Sequence, residues 1–393
     1  METISKRRPQ LLVHGPAVSS SSAVRTRDVG YLGRLQCHGR GLGEEPPMEG
    51  FGNKPTYPRS QSDTLRGHVT GCGCVHAYVG LSSDSKTASR RPEVIHDIVI
   101  MAQPKVFHCD PRNFEVTEEM IESFNTRGYV FVRGFLDKEE LEQLRKTVED
   151  TDLFVKPFFA LLDDTGGKTE RCIWRHPGND VTGIIARSEK VAGTAEQLLG
   201  GEVYHYHSKL MTKAPRVGGR HLWHQDYGYW YQNGCLFPDM LSVLIPIDPC
   251  GKINGCLEVL EGSHLMGRLD HSLRSGLQGC DPERIEQVKT RCPHMYVEMD
   301  PGDAIFFHCN LLHCSGNNLS DTKRWVLISA YNKASNDPVK KHHHPNYTKL
   351  EKVPNSAIRE CRNYTDLSGK EFTDPRTSGD TTININFGKS SAL

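Results

Sequence analysis

Residues 221–230 read HLWHQDYGYW, and this stretch sets His224 and Asp226 two positions apart in an aromatic run that favours an extended chain. Side chains two positions apart on a β-strand point to the same face of the sheet. We therefore expect a strand over 221–231 from which both side chains reach one metal ion. With a second histidine they would form a set of two imidazoles and one carboxylate, which leaves coordination positions open on iron.

The second histidine is expected from another, downstream stretch of the chain. Residues 299–308 read MDPGDAIFFH, in which Pro301-Gly302 marks a turn and the apolar run marks a buried strand. Two candidates follow, His308 and, in the stretch LLHCSGNN at 311–318, His313. Arg324 then opens the apolar run 325–331, and a guanidinium in a buried strand requires an anion. Its planar fork suits a carboxylate, such as that of a dicarboxylate co-substrate.

Short apolar and aromatic segments, separated by turns rich in Gly, Pro and Asn, dominate the second half of the chain. We expect strands at 203–213, 221–231, 241–247, 256–260, 295–299, 304–309 and 324–331. Helices are expected over 117–128, after the capping pair Asp137 and Glu140, and over 188–199. This pattern predicts a mainly β fold with flanking helices around a double-stranded β-helix, a cupin-like jelly roll.

The ordered set of motifs resembles the phytanoyl-CoA dioxygenase family of Fe(II)- and 2-oxoglutarate-dependent oxygenases. The set consists of HQD at 224–226, NGCLEVLEGSH at 254–264 and the Gly-Asp, His-x-Ser-Gly-x-Asn and Arg series between 302 and 324. The resemblance covers about residues 105–345. The run YGYW at 227–230 is more similar to the amino-acid and ectoine hydroxylase branch than to the acyl-CoA branch.

For the metal, the resemblance implies three iron ligands, which are His224, Asp226 and His313. His308 is the competing histidine, but only His313 stands at the family's spacing to the serine and arginine that follow it. The implied cofactor is Fe(II), and the implied co-substrates are 2-oxoglutarate and O2. The implied reaction is hydroxylation of a small metabolite, with release of succinate and CO2.

For the co-substrate, the resemblance implies that Arg324 binds the distal carboxylate of 2-oxoglutarate. Ser315 would hydrogen-bond the same carboxylate, and Lys209 would contact the co-substrate by its family position. Two functions of another class remain open, a zinc-dependent hydrolase that uses the same three ligands and an inactive relative that only binds a ligand. The hydrolase leaves Arg324 and Ser315 unexplained, and the inactive relative does not explain why every expected ligand is present.

The substrate is expected to meet aromatic rings beside the metal. Tyr227, Tyr229 and Trp230 follow the HQD motif directly, with Trp223 and Tyr206 on neighbouring strands. Such rings favour a small, even cationic, molecule through cation–π contact, although each ring can equally pack as core between the sheets. We expect a free amino acid or a similar small carboxylated metabolite, and a branched acyl-CoA, hydroxylated at C2, is the alternative substrate.

Composition narrows the partners and the compartment. The 48 basic and 48 acidic side chains balance, so we expect no nucleic-acid partner, and no apolar run approaches the length of a membrane span. The 13 cysteines, an odd number without regular spacing, favour a reducing intracellular location. We expect the cytoplasm, with mitochondria as an alternative because the first forty residues are basic. Peroxisomes are the third possible location, although the C-terminal SAL lacks the basic residue of the peroxisomal signal. The sequence leaves the oligomeric state open.

The chain divides into three parts by composition. Residues 1–100 contain few aromatics and are rich in Ser, Gly, Pro and Arg, so we expect a disordered extension. The pair Cys72 and Cys74 in that segment lacks the separated ligand pairs of a structural zinc site. Residues 101–345 are expected to form the oxygenase domain, and the polar tail 346–393 to wrap the core or stay loose.

The remaining histidines have less specific patterns. His205 and His207 stand two apart on a strand, which allows a metal role or pocket lining. Residues 342–344 are three consecutive histidines in a polar stretch, where we expect a solvated cluster. His221 and His264 have no partner pattern and are expected to be structural or surface residues.

Overall fold

Two β-sheets pack face to face in the computed structural model, which describes residues 103–149, 154, 158–163, 165–274 and 277–374. The expected disordered segment 1–100, the pair Cys72 and Cys74 and the last residues from 375 lie outside the described residues. The strands of the first half are β1 Val106–His108, β2 Tyr129–Arg133, β3 Phe159–Leu162, β4 Lys168–Arg175, β5 Val203–Lys213, β6 His221–His224 and β7 Met240–Pro246. They are followed by β8 Leu257–Leu260, β9 His271–Arg274, β10 Leu277–Cys280, β11 His294–Val297, β12 Ala304–His308, β13 His313–Ser315, β14 Arg324–Lys333 and β15 Glu371–Phe372.

The helices lie mainly before the jelly roll and in its connections. They are α1 Glu118–Arg127, α2 Lys138–Glu149, α3 Val181–Arg187, α4 Thr194–Leu199, α5 Asp226–Trp230, α6 Pro282–Lys289 and α7 Ser356–Glu360. None of the helices in the described ranges is long and apolar enough to cross a membrane.

The eight jelly-roll strands alternate between the sheets along the chain, except that β8 and β11 follow one another in the small sheet. The large sheet contains the order β12-β7-β14-β5, extended by β2 and β1 on one side and by β4 and β15 on the other. The small sheet has the order β11-β8-β13-β6. This alternation is the double-stranded β-helix that the sequence predicted, so the fold class is confirmed.

The large sheet buries both of its faces, which explains its apolar strands. Val243, Ile245 and Leu327 belong to the core that also contains apolar residues of α1 to α4. Their strand neighbours Leu244 and Ile328 point the other way and pack with residues of the small sheet. Burying a side chain of this kind stabilises the fold by about 1.5–3 kcal/mol. The site described below lies on this second, inner face.

Two of the three predicted helices begin where the capping signals place them, and the first also ends at its predicted glycine. Thr117 caps α1 by accepting a hydrogen bond from the Met120 backbone N–H, and Gly128 ends the helix at a φ of 86°. Asp137 and Glu140 form the reciprocal capping box, with distances of 2.9 and 3.0 Å between each backbone nitrogen and the opposite carboxylate oxygen.

The prediction of one helix over 188–199 is wrong. Ser188 is extended, with a ψ of 149°, and it separates α3 from a π-turn at Glu189–Gly193 that leads into α4. The interruption has a tertiary cause, because the Glu189 N–H donates to the carbonyl of Val353 in the C-terminal segment. The π-turn also contains Lys190, whose buried ammonium lies 2.7 Å from the Glu140 carboxylate.

The sequence analysis also missed β1, β3, β4, β9, β10, β13, β15, α3, α6 and α7. The most important of these is β4, because it pairs along β5 with Arg171 opposite Met211 and Ile173 opposite Lys209. β15, from the C-terminal segment, then pairs with β4. Pairing of this kind depends on the neighbouring strand rather than on local propensity.

Buried histidines make the stability of the fold depend on pH. Burial lowers the pKa of His205 to about 3, and burial followed by the charge of His264 lowers the pKa of His308 to about 4. An unfolded histidine titrates near 6.5, so below that pH the unfolded chain binds protons that the folded chain does not. We expect the free energy of unfolding to fall between pH 6.5 and 4, by about 1.4 kcal/mol per pH unit for each such histidine.

Guanidinium unfolding at pH 7, 6 and 5, with a chelator present, measures this effect. His205→Gln should reduce the pH slope by about one proton, while His108→Gln, at an exposed position, should leave it unchanged. A slope that is the same in all three proteins would contradict the assignment to His205.

Candidate active site

Three potential metal ligands converge at the end of the small sheet. His224 is the last residue of β6 and pairs directly with His313, the first residue of β13. Asp226 Oδ1 lies 3.9 Å from His224 Nε2 and 4.0 Å from His313 Nε2. One nitrogen or oxygen atom from each residue lies within 4.8 Å of the other two, and all three residues are buried.

Hydrogen bonds from the surrounding chain aim these atoms at a common point. His224 Nδ1 lies 2.8 Å from the carbonyl of Leu222, and His313 Nδ1 lies 2.9 Å from the carbonyl of Leu311. A carbonyl only accepts, so each Nδ1 carries the proton and each Nε2 presents its lone pair. The Ser242 hydroxyl donates to Asp226 Oδ2 at 2.7 Å, which leaves Oδ1 for the metal.

The electrostatics of the pocket also suit a cation. Burial, followed by the neighbouring imidazoles of His313 and His221, holds the pKa of His224 well below its usual range. Burial likewise lowers the pKa of His313. Both rings are therefore neutral at neutral pH and can donate electron pairs. Two imidazole nitrogens and one carboxylate oxygen on one side of a cavity are the donor set that Fe(II) oxygenases use, so the residues present are compatible with iron.

The structure corrects how Asp226 reaches this point. The predicted strand over 221–231 ends at His224, and Asp226 is the first residue of α5. His271, which the sequence analysis did not identify, holds the corner by accepting the Gln225 N–H at 2.9 Å. Gly228 makes room for that ring, because a Cβ there would lie 1.7 Å from it. The motif is therefore held by a tertiary contact and not by strand geometry.

A cavity of about 440 Å³ beside the triad contains the residues expected to bind 2-oxoglutarate. Arg324, Ser315 and Lys209 line it together with His224 and His313. Arg324 is 3% exposed, and its Nε has no hydrogen-bond partner among the described residues. A buried guanidinium without a full set of acceptors suits a carboxylate ligand.

Lys213 is a second buried cation behind this cavity, and the sequence analysis assigned it no role. Its Nζ lies 2.8 Å from Ser315 Oγ and also donates to the carbonyl of Gly316. Burial, followed by the charge of Arg324, lowers the pKa of Lys213. A carboxylate in the cavity would stabilise the ammonium form, which only donates. Ser315 Oγ would then accept from Lys213 and direct its own proton to that carboxylate.

A larger cavity of about 900 Å³, partly open to solvent, lies on the other side of the triad. His221, His224 and Lys209 line both cavities, so the two meet at the proposed metal position. Tyr229 and Trp230 line the larger cavity as predicted.

The predictions for Tyr227 and Trp223 as cavity residues are wrong. The helical turn of α5 directs Tyr227 into the core, where its hydroxyl donates to the carbonyl of Cys235. Trp223 packs instead against His294, with 5.3 Å between ring centroids.

Several histidines lie elsewhere than expected. His221, expected to be structural or a surface residue, stacks on His224 with 4.4 Å between ring centroids. His343 and His344 line the larger cavity, and His344 is buried rather than solvated. His205 and His207 do not share a face, because a register shift of β14 at Ala330 and Tyr331 separates them. Only His207 of that pair lines the cavity.

Residues 124–326, just over half of the chain, match the profile of the family described as phytanoyl-CoA dioxygenase (PhyH). The chain belongs to the phytanoyl-CoA dioxygenase family. This confirms the predicted family and, with it, the enzyme class of dioxygenase. The matched region contains all of the predicted ligand and co-substrate residues.

Two similar proteins are named for hydroxylation of an amino acid and for oxygenation of ectoine. L-proline trans-4-hydroxylase of Streptomyces griseoviridis is 28% identical over 229 residues, which cover 54% of this chain and 84% of that protein. Ectoine dioxygenase of Halomonas elongata is 29% identical over 233 residues, covering 55% of this chain and 70% of that protein.

Solved structures of similar proteins support the fold. The structure of EctD from S. alaskensis with bound Fe has a TM-score of 0.51 and 23% identity, and it covers 63% of this chain and 94% of its own. A second structure of EctD contains 2-oxoglutarate and 5-hydroxyectoine, with a TM-score of 0.51 and 21% identity.

The two histidines that competed in the sequence lie in different surroundings. His308 packs against Phe124 and His264, away from the triad. We expect His313→Ala to lose metal binding, measured by Mn(II) titration followed by electron paramagnetic resonance. His308→Ala, the matched control, should retain binding. The reverse ranking would contradict the ligand assignment.

The role inferred for Lys213 predicts a co-substrate defect. Lys213→Met should weaken 2-oxoglutarate binding about tenfold, while Arg324→Ala should weaken it further, because losing one partner of a buried charge pair costs about 2–5 kcal/mol. Both affinities can be measured by adding 2-oxoglutarate to the Mn(II) protein under anaerobic conditions and recording the Tm at each concentration. In a Ser315→Ala background, Lys213→Met should add little. An equal loss in both backgrounds would show that Lys213 does not act through Ser315.

Proposed function

We propose that this protein is an Fe(II)- and 2-oxoglutarate-dependent hydroxylase that acts on a small polar metabolite. The observation that carries the proposal is the joining of two cavities at one ligand triad. The smaller cavity holds Arg324 and Ser315, and the larger one is open to a substrate. A metal at the triad would therefore bind the co-substrate in the smaller cavity and lie next to a substrate in the larger one.

Each residue has a role that follows from its position. His224, His313 and Asp226 would hold the iron, with Ser242 keeping the second carboxylate oxygen of Asp226 occupied. Arg324 would orient 2-oxoglutarate by pairing with its distal carboxylate. Iron with 2-oxoglutarate and O2 supplies the oxidising chemistry, which releases succinate and CO2 and leaves a hydroxyl on the substrate.

The larger cavity favours a polar substrate over a branched acyl chain. Several side chains of its lining contain a buried polar atom without a hydrogen-bond partner among the described residues, and they include His207, His221, Gln278, His344 and Thr373. Each such atom costs about 1–3 kcal/mol unless a partner is supplied. A ligand with several hydrogen-bonding groups would supply them, whereas a phytanoyl chain would not.

The relatives point in the same direction. Their names state L-proline and ectoine as substrates, and both are small molecules. Thr373 in the cavity wall also indicates that the functional unit extends past residue 345, to at least residue 373.

The function is tested by 2-oxoglutarate turnover. The Fe(II)-loaded protein should release succinate in air, and Asp226→Ala should reduce this at least about a hundredfold by removing a ligand. A panel of free amino acids should stimulate the release more than phytanoyl-CoA does. A preference for phytanoyl-CoA would favour the alternative function of acyl-CoA hydroxylase. Hydrolysis of a substrate by the Zn(II)-loaded protein in the absence of O2 would favour the zinc-dependent hydrolase.

A further inference from the structure

We propose that the larger cavity contains a subsite for a carboxylate group of the substrate, formed by Arg171 with the stacked imidazoles of His207 and His344. The proposal rests on the proposed function and names the class of substrate. The metal triad would act on a C–H bond at one end of the cavity, and this subsite would hold the acidic group of the same molecule.

The charges of the lining support an anionic ligand. Among the described residues that line the cavity, Arg171 and Lys209 are the lysine and arginine side chains, and Asp226 is the carboxylate. Asp226 belongs to the metal set, and Lys209 is shared with the co-substrate cavity. Arg171 is therefore the cation that belongs to the substrate side alone.

The position of Arg171 follows from strand register. Arg171 pairs with Met211, and Ile173 pairs with Lys209, so these four side chains share the inner face of the sheet. The guanidinium carbon lies 5.2 Å from the ring centroid of Phe159, which also lines the cavity. This contact supports the planar group against one wall, from which it can meet a carboxylate edge-on.

The two histidines supply hydrogen bonds beside this charge. His207 comes from β5 and His344 from the segment after β14, and their rings stack with 4.6 Å between centroids and 19° between planes. Both are more than nine-tenths buried, and the Nδ1 atom of each has no hydrogen-bond partner among the described residues. A neutral imidazole carries one N–H donor, which a carboxylate oxygen can accept.

The same features argue against a cationic substrate. The aromatic rings near the triad predicted cation–π binding, but a cation in this cavity would face Arg171, and Asp226 is the carboxylate among the described lining residues. Like charges in a partly buried site repel strongly. The lining therefore selects an acid over the corresponding neutral amide, and over an amine.

The test compares acids with their neutral isosteres. The probes are the L-amino acids and small hydroxy acids, each beside its carboxamide and, where one exists, its phosphonate. Succinate release by the Fe(II) protein is one readout. The second is the ligand-dependent shift in Tm of the Mn(II) protein with 2-oxoglutarate under anaerobic conditions. We expect at least one acid to stimulate succinate release about tenfold or more above its carboxamide. The same acid should shift the Tm at a concentration about tenfold or more lower than the carboxamide requires.

The variants separate this subsite from the rest of the active site. Arg171→Gln should weaken binding of the preferred acid at least about tenfold more than it weakens 2-oxoglutarate binding. His344→Phe keeps a stacking ring and should weaken the acid severalfold. Arg216→Gln is the control, because Arg216 is exposed and paired with Asp321 outside the cavity.

Several results would overturn the proposal. These are equal responses to acid and carboxamide, preference for a phosphonate, a loss of 2-oxoglutarate affinity in Arg171→Gln as large as its loss of acid affinity, or no response to any acid by a protein that still turns over 2-oxoglutarate. A protein that neither binds nor turns over 2-oxoglutarate would instead show that the proposed function itself is wrong.

Discussion

The pairing of His224 with His313 across β6 and β13 is the constraint on which the site depends. In an antiparallel sheet a slip of one residue would turn one imidazole to the opposite face and separate the ligands. On the β8 side of β13 the backbones approach closely: Gly255 has a φ of 75°, and a Cβ there would lie 2.2 Å from the carbonyl oxygen of Gly316. The sheet thus fixes two ligands, while the corner held by His271 adds Asp226.

The site concentrates polar groups that the fold leaves incompletely satisfied. Lys213 and Arg324 are buried cations close together, and burial keeps several imidazoles neutral. Such groups lower the stability of the protein without ligands, because buried polar atoms without partners cost free energy. Metal, co-substrate and substrate each supply the missing charge or hydrogen bond. These buried side chains have already lost their water on folding, so they can contribute to the free energy of ligand binding.

The proposed substrate cavity is built partly from residues beyond the matched family region. The family match ends at residue 326, whereas His343, His344 and Thr373 form part of the wall of the larger cavity. The segment that carries them is anchored by β15 on β4 and by the contact of Val353 with Glu189. The matched region contains the proposed metal and co-substrate residues, and the C-terminal segment completes the wall of the proposed substrate cavity.

The sequence alone determined the jelly roll, α1 and its caps, and the candidate ligands, because each is encoded by local order: a period of two, a capping residue or a motif at fixed spacing. Only the tertiary structure decided that Asp226 begins a helix, that Tyr227 enters the core and that His344 stacks on His207. These outcomes depend on contacts between segments far apart in the chain. Local sequence pattern does not specify which of several histidine, arginine or lysine side chains this packing brings to the cavities. The positions of Arg171 and Lys213 are therefore visible only in the folded chain.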